Sequence, residues 1–253
     1  MKFNHLFAMP DKARRAGFYL REYLFPFGCS LCGAGLADRG ETWRGLCRSC
    51  HEGIERELGG HRAGETCDCC GKPLISEQGR CLSCRQEESR SFDQVKVLFP
   101  YMGKYRKLLA AYKFDMNLAV GNFLAEKIRE AAEELSFLPD MRIVPVPPRP
   151  GKIRAKGWDQ VEYLARLLEK NSGHGNSLSV NRCLKRMPSK SQKELDKENR
   201  RHNLRGRIVM ASQAPKTAVV LDDVMTTGST LDACAAVLKE NGSETVYGLC
   251  LFY

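Results

Sequence analysis

The chain has 253 residues, of which 43% are hydrophobic and 28% are charged, the balance of an ordinary soluble globular protein. It contains no run of about 18 apolar residues, which argues against a membrane-spanning helix, and the first residues lack the apolar stretch of a signal peptide, so we expect a cytoplasmic protein. The formal net charge of +10 lies wholly within residues 149–207, which hold 16 Lys and Arg against 6 Asp and Glu. This excess favours a polyanionic partner or a phosphorylated ligand over a merely solvated basic surface.

Three units are predicted along the chain. Residues 1–28 form the first, in which Pro10–Phe25 read as an amphipathic helix ended by Pro26. Residues 29–90 form a cysteine-rich segment, and residues 91–253 form an α/β domain. The polar stretch Arg85–Ser91 has no hydrophobic periodicity, so we place the boundary between the second and third units there.

Eight of the twelve cysteines form four successive Cys-x-x-Cys pairs, the pattern of zinc ribbons. The pairs are Cys29 with Cys32, Cys47 with Cys50, Cys67 with Cys70, and Cys81 with Cys84. Each turn directs two thiolates at one centre, so two turns complete a tetrahedral site. The simplest grouping joins the first pair with the second and the third with the fourth, but spacing also permits an interleaved grouping. Thiolates accept iron as well as zinc, so the metal stays open on ligand type alone, with zinc favoured.

Metal binding is expected to stabilise this segment, because it is too poor in large apolar residues to build its own core. Structural zinc contributes an apparent ~10–16 kcal/mol per site in small peptides. A closed shell of four sulfurs leaves no position for a reactive water, so we expect two structural zinc ions and no zinc catalysis.

After Phe92, predicted strands alternate with predicted helices, which indicates a parallel sheet covered by helices on both faces. The strands are Gln94–Tyr101, Arg142–Val146, Ala218–Asp223 and Thr245–Tyr253; the helices are Lys104–Phe114, Leu118–Leu135, Trp158–Glu169 and Ser229–Lys239. Ligands of such sheets bind beyond the carboxyl ends of the strands. Asp222, Asp223 and the turn Pro145–Pro148 all fall at such ends.

The strongest ligand pattern is an apolar strand that ends in Asp222 and Asp223 and continues into a turn rich in hydroxyl groups. The turn consists of Thr226, Thr227, Gly228, Ser229 and Thr230, and it leads into a helix. Backbone N–H groups at a helix N-terminus bind phosphate, while carboxylates accept hydrogen bonds from sugar hydroxyls or bind Mg²⁺. A 5-phosphorylated ribose fits both halves; a capped helix start is the alternative on spacing alone.

The thirteen residues Val219–Leu231 resemble the ribose 5-phosphate signature of type I phosphoribosyltransferases, which bind phosphoribosyl pyrophosphate. From Cys29 onward the chain resembles the ComF family of competence-related proteins, in which zinc ribbons precede a phosphoribosyltransferase-like domain. The segments that carry this resemblance are Tyr112–Phe114, Val144–Arg166 and Ser191–Met210. The chain departs from the family's usual Arg-Gly-Phe-Asn-Gln with Lys156-Gly157-Trp158-Asp159-Gln160. The resemblance implies that the acid pair faces the ribose and that Thr226–Thr230 hold the 5-phosphate, with Mg²⁺ accompanying the ligand.

The basic segment has two interpretations. In one, Val146–Gly151 binds the pyrophosphate of the ligand, helped by the cations Lys113, Arg149, Lys152 and Arg154. In the other, Arg182–Arg207 provides a groove for single-stranded DNA, and Trp158 either stacks on a base or packs in the core.

We therefore expect a phosphoribosyl-pyrophosphate-binding protein that handles single-stranded DNA during natural transformation. A Mg²⁺-dependent phosphoribosyltransferase of unknown acceptor base is one alternative. A zinc-ribbon adaptor that recruits a DNA-uptake helicase or membrane machinery is the other.

Overall fold

The computed structural model describes residues 28–59, 66–86, 90–135, 140–170, 178–188 and 206–253. The predicted N-terminal helix lies outside these residues, as does most of the predicted basic groove, residues 189–205.

The described residues contain six strands, four of which form one parallel sheet in the order β1-β6-β5-β2. They are β1 (Gln94–Phe99), β2 (Met141–Pro145), β3 (Leu184–Arg186), β4 (Ile208–Met210), β5 (Thr217–Val224) and β6 (Thr245–Phe252). Strands β3 and β4 pair separately as an antiparallel hairpin. The continuous apolar run of β5 is fully buried, because layers on both faces cover the centre of a parallel sheet. The predicted α/β class with a parallel sheet is confirmed.

Eight helices lie within the described residues, and local capping explains where several of them begin. They are α1 (Arg39–Arg44), α2 (Arg48–Gly59), α3 (Leu82–Gln86), α4 (Gly103–Lys113), α5 (Leu118–Glu133), α6 (Lys152–Lys156), α7 (Gln160–Lys170) and α8 (Ser229–Glu240). The Asn117 side chain accepts the first N–H groups of α5, and Asp159 accepts those at the start of α7. None of these helices is both long and apolar enough to cross a membrane.

The two cysteine units pack on opposite faces of the sheet. The first cysteine unit, residues 28–59, contributes Cys29, Leu46 and Ile54 to the core that also holds α4, α5 and α7. The second cysteine unit, residues 66–86, contributes its buried cysteines to the core formed with α8 and the β3–β4 hairpin. Each unit therefore buries its apolar side chains against the sheet domain, which compensates for its own small size.

Polar contacts fix the first unit on α4 and α5. The Arg44 guanidinium forms two parallel hydrogen bonds of 2.9 Å with the Glu126 carboxylate. Lys104 Nζ donates to the Gly53 carbonyl at 3.1 Å and to Glu57 at 2.7 Å. A forked Arg–carboxylate pair sets orientation as well as distance, so the unit is held in one position on the helices.

The second unit is joined directly to an edge strand. The Val95 N–H of β1 donates to the Cys69 carbonyl at 2.9 Å. Gly71 has φ +67°, and a Cβ placed there would lie 2.6 Å from the Val95 carbonyl oxygen. Only glycine permits both that backbone conformation and that approach, so this contact depends on residue 71 having no side chain.

Candidate ligand and metal sites

The eight paired cysteines form two clusters of four, grouped in sequential rather than interleaved order. Within each cluster the sulfurs lie within 4.8 Å of one another. The Sγ atoms of Cys32 and Cys47 are 3.7 Å apart, and so are those of Cys70 and Cys81. Four thiolates around zinc at about 2.3 Å have sulfurs about 3.8 Å apart, whereas a disulfide requires about 2.05 Å. Both clusters are thus consistent with structural zinc.

The protein backbone prepares both clusters for a metal. Burial alone would raise the pKa of Cys67, but hydrogen bonds from backbone N–H groups, that of Cys81 at 3.3 Å among them, outweigh it and lower the pKa. The same balance lowers the pKa of Cys29 in the other cluster. Because the thiolate is the form that binds metal, these hydrogen bonds favour the ligating state of Cys29 and Cys67. Burial and the neighbouring thiols instead raise the pKa of Cys50 and Cys84, so their ionisation depends on the metal.

A pair of carboxyl groups ends β5 at the carboxyl edge of the sheet. The backbone N–H of Asp223 donates to Asp222 Oδ1 at 2.8 Å, and the two carboxyl groups are close enough to interact directly. Lys113, the last residue of α4, forms a 2.7 Å ion pair with Asp223 Oδ2. Burial, followed by the charge of Asp223, raises the pKa of Asp222 well above the ordinary aspartate range. The surroundings of Asp222 therefore disfavour its charged form unless a ligand or metal compensates.

The turn after the acid pair is shaped as a helix start. The Met225 N–H donates to the Phe252 carbonyl at 2.8 Å and anchors the turn to β6. Gly228 precedes α8 with φ +73°, and Thr227 Oγ1 lies 2.7 Å from Ser229 Oγ. Among the described residues, no acceptor pairs with the backbone N–H of Thr226, Thr227 or Gly228. Three donors without an acceptor in the described part of the chain, together with the positive end of α8, make this turn suited to an anion.

The other predicted turn, Val146–Gly151, lies at the same edge. Pro145 of β2 pairs with Leu221 of β5, and the Val146 N–H donates to the Leu221 carbonyl at 2.9 Å. Arg149 in this turn is exposed and close enough to Arg186 of β3 for the two charges to repel. Burial first, and then the nearby Arg149 charge, lowers the pKa of Arg186. Positive charge therefore collects beside the acid pair.

Lys152 has a structural partner. Its Nζ donates to Asp159 Oδ2 at 2.6 Å and also to the Gln160 side chain. Asp159 is 5% exposed and caps α7, so Lys152 neutralises a buried charge. This ion pair gives Asp159 a structural role.

Two residues of the single-stranded DNA interpretation also serve the fold. The Trp158 ring packs edge-on against Tyr112 at 5.4 Å and Tyr163 at 6.3 Å, the core position that was one of the two expectations for it. Arg182 forms ion pairs with Glu162 and Glu169.

Comparison with known proteins gives three relatives that match most of the chain. Competence protein F of Haemophilus influenzae is 28% identical over 231 residues, which are 88% of this chain and 95% of that protein. Competence protein ComFC of Streptococcus pneumoniae is 27% identical over 79% of this chain and 84% of its own. DNA utilization protein YhgH of Salmonella typhimurium is 27% identical over 88% of this chain and 95% of its own. No protein-family model matches the chain.

These relatives support assignment of the chain to the ComF family. Sequence reasoning missed two residues at the candidate site. Phe114 is 72% exposed directly after Lys113, whereas from sequence it had no role beyond the end of a predicted helix and the resemblance of Tyr112–Phe114. Arg90 donates from Nη1 to the Thr227 carbonyl at 3.2 Å, although it belongs to the stretch interpreted as a boundary. The hydrophobic pattern does not indicate that Phe114 is exposed. Likewise, a single arginine in a polar stretch does not indicate a contact with a turn more than 130 residues later.

Proposed function

We propose that this chain acts in DNA uptake and binds phosphoribosyl pyrophosphate with Mg²⁺ at the carboxyl edge of its sheet. The observation that carries the proposal is the acid pair Asp222–Asp223, followed directly by a turn whose N–H groups have no acceptor among the described residues. Carboxyl groups accept hydrogen bonds from hydroxyls or bind a metal, and N–H groups at a helix N-terminus bind an anion. A sugar with vicinal hydroxyls and a 5-phosphate supplies both within one small molecule.

Each part of the site has a distinct task in this proposal. The turn Thr226–Thr230 binds the 5-phosphate, and Asp222 and Asp223 accept the ribose hydroxyls. Lys113 holds Asp223 in place and adds positive charge near the ligand. Arg149, on the neighbouring turn, is placed for the pyrophosphate oxygens. Mg²⁺, when bound, would neutralise the pyrophosphate charge through oxygen ligands.

The role in DNA uptake comes from the relatives, which are named competence proteins and a DNA utilization protein. The hairpin β3–β4 and its flank carry Lys185, Arg186 and Arg207 beside the sheet edge. Phosphates of single-stranded DNA would pair with such cations, and the exposed Phe114 ring offers a surface on which a base can stack. We infer that single-stranded DNA passes this edge.

Phosphoribosyl transfer is a second candidate, because both phosphate turns and the acid pair meet at one edge. In that reaction an acceptor nitrogen bonds to the anomeric carbon while the carbon–oxygen bond to pyrophosphate breaks. Pyrophosphate leaves with the electron pair, stabilised by Arg149 and the adjacent turn. Such a reaction needs positioning and charge stabilisation rather than a covalent intermediate.

Calorimetric titration of phosphoribosyl pyrophosphate with MgCl2 tests the ligand. We expect binding to the wild type and to an Asp115→Asn control, an exposed acid near the site. We expect none to an Asp222→Asn/Asp223→Asn variant. Equal affinity in all three proteins, or no heat in any, would remove the proposed site.

Single-stranded DNA affinity measured across salt concentrations tests the second half. A phosphate-binding surface gives a log–log slope of roughly −0.7 per phosphate contacted. A flat line would show that the basic excess does not bind nucleic acid.

A further inference from the structure

We propose that Arg90 positions the phosphate turn and links it to the second cysteine unit, so that metal in that unit controls phosphate-ester binding. This inference rests on the proposed function of the turn. It assigns a positioning residue to a segment that joins the cysteine clusters to the sheet.

Arg90 is fixed on one side of the turn. Its Nη1 donates to the Thr227 carbonyl at 3.2 Å. The guanidinium lies over the buried Phe92 ring, 5.6 Å from its centroid. A Cβ placed on Gly228 would come 3.4 Å from the same Nη1. The guanidinium thus approaches the turn on the side toward which a side chain at position 228 would project.

The geometry of the peptide bond turns this contact into a positioning device. In a planar trans peptide the carbonyl of one residue and the N–H of the next point in opposite directions. Arg90 holds the Thr227 carbonyl on its own side, so the N–H of Gly228 must point to the other side. That N–H is one of the three donors that have no acceptor among the described residues. Arg90 therefore aims a donor at the anion without contacting the anion itself.

The segment that carries Arg90 is tied to the second cysteine unit and to α8. Cys84, a member of the second cluster, precedes Arg90 by six residues. Next to Arg90, the Ser91 N–H donates to Asp232 Oδ1 of α8 at 2.7 Å. Beyond it, the Val95 N–H donates to the Cys69 carbonyl, inside the loop between two cluster cysteines. Loss of metal from this cluster would loosen the Cys69 loop that Val95 contacts, and Arg90, five residues before Val95, would no longer be held at Thr227.

This coupling is reciprocal by thermodynamic necessity. A ligand that requires the ordered turn must also favour the metal-bound form of the second cluster. The first cluster, on the opposite face of the sheet, does not share this path.

Binding of ribose 5-phosphate and of inorganic pyrophosphate to the full zinc-loaded chain tests the proposal by calorimetry. Arg90→Ala should weaken ribose 5-phosphate binding roughly tenfold, because it removes a charge-assisted hydrogen bond, and leave pyrophosphate binding unchanged. Arg90→Lys, which keeps the charge but loses the planar fork, should fall between the two. Arg85→Ala, an exposed arginine of α3, should bind as the wild type does.

Amide hydrogen exchange in residues 225–231 gives a readout that needs no ligand. Exchange should rise there in Arg90→Ala, and also in Cys84→Ser, which removes one ligand of the second cluster. The double variant should show little more than either alone, because both changes break one path. Cys50→Ser, in the first cluster, should leave exchange in the turn unaltered.

If Arg90→Ala leaves amide exchange in residues 225–231 unchanged, the proposal is overturned. It is also overturned if Arg90→Ala weakens the binding of ribose 5-phosphate and of pyrophosphate equally, because that result indicates a global defect. If the wild type binds no ribose 5-phosphate while the exchange pattern holds, the proposed function fails and the positioning role of Arg90 stands. If Cys84→Ser does not fold, the zinc-loaded Arg90 variants still test the role of the arginine. The coupling is then tested by the amount of zinc that the wild-type chain retains against a chelator, with and without ribose 5-phosphate. If ribose 5-phosphate does not change the zinc retained, the coupling is refuted.

Discussion

Replacing Gly228 by alanine should damage the phosphate turn in two separable ways. Gly228 has φ +73°, a left-handed conformation that disfavours any other L-residue by about 1–2 kcal/mol. A Cβ there would lie 2.8 Å from Met225 Cε, and Met225 is only 3% exposed, so its side chain must be displaced within a packed region. Such overpacking typically costs about 1–3 kcal/mol, and the flexible end of a methionine places this contact at the lower limit. The structure therefore predicts a total loss of about 2–3 kcal/mol of folding stability.

Gly242 provides the matched control. It has φ +100°, but a Cβ there would meet nothing within 4 Å. Gly242→Ala should lose only the backbone term and should bind ribose 5-phosphate as the wild type does. Urea unfolding and calorimetry of both variants measure the two effects. If Gly228→Ala is no less stable than Gly242→Ala and binds the ligand normally, the close packing behind the turn has been misjudged.

Three further predictions concern the acid pair, the exposed ring and the second cysteine unit. The pKa of Asp222 is raised in the folded chain, so folding stability should fall as the pH rises from the unfolded aspartate pKa of about 3.9 toward the raised folded pKa. The urea midpoint measured against pH should show this decrease in the wild type, and Asp222→Asn should abolish it. Phe114→Ala should weaken single-stranded DNA binding by about 1–3 kcal/mol per stacked base in fluorescence anisotropy, while Ile75→Ala, another exposed apolar residue, should not. Gly71→Ala should separate the second unit from β1, because the new Cβ would lie 2.6 Å from the Val95 carbonyl oxygen. Limited proteolysis should then cut within residues 66–86, and resistance of that segment to cleavage would contradict the proposed contact.

The strongest local patterns predicted the structure well. The continuous apolar run before Asp222 gave β5 to within one residue at each end, because only a strand buried on both faces favours such a run. The alternation of strands and helices predicted the parallel sheet. The cysteine spacing allowed a sequential and an interleaved grouping, and the sequential grouping, the simpler one, is the one observed. Each of these features depends on neighbours within a few residues, or on a repeat that the chain displays directly.

Features that depend on distant contacts could not be predicted in the same way. No local pattern indicates that two consecutive cysteine units cover opposite faces of the sheet. The hairpin β3–β4 has strands of three residues, too short for a period to show. Lys152 was expected to serve a ligand because lysine in a turn looks available, whereas Asp159, seven residues later, comes within 2.6 Å of it only after α6 and α7 have packed.

The candidate site combines two unfavourable features of opposite polarity at one edge of the sheet. Asp222 is held beside a second carboxyl group in surroundings that raise its pKa, a placement that destabilises its charged form. A few residues later, N–H groups of the turn have no acceptor among the described residues. Neither feature stabilises the fold by itself, and groups of this kind concentrate at functional sites. A ligand with hydroxyls at one end and a phosphate at the other would relieve both, since the hydroxyls donate to the carboxylates and the phosphate accepts from the turn. This complementarity to a single molecule, rather than the acid pair or the helix start alone, is the physical reason to expect a ribose phosphate here.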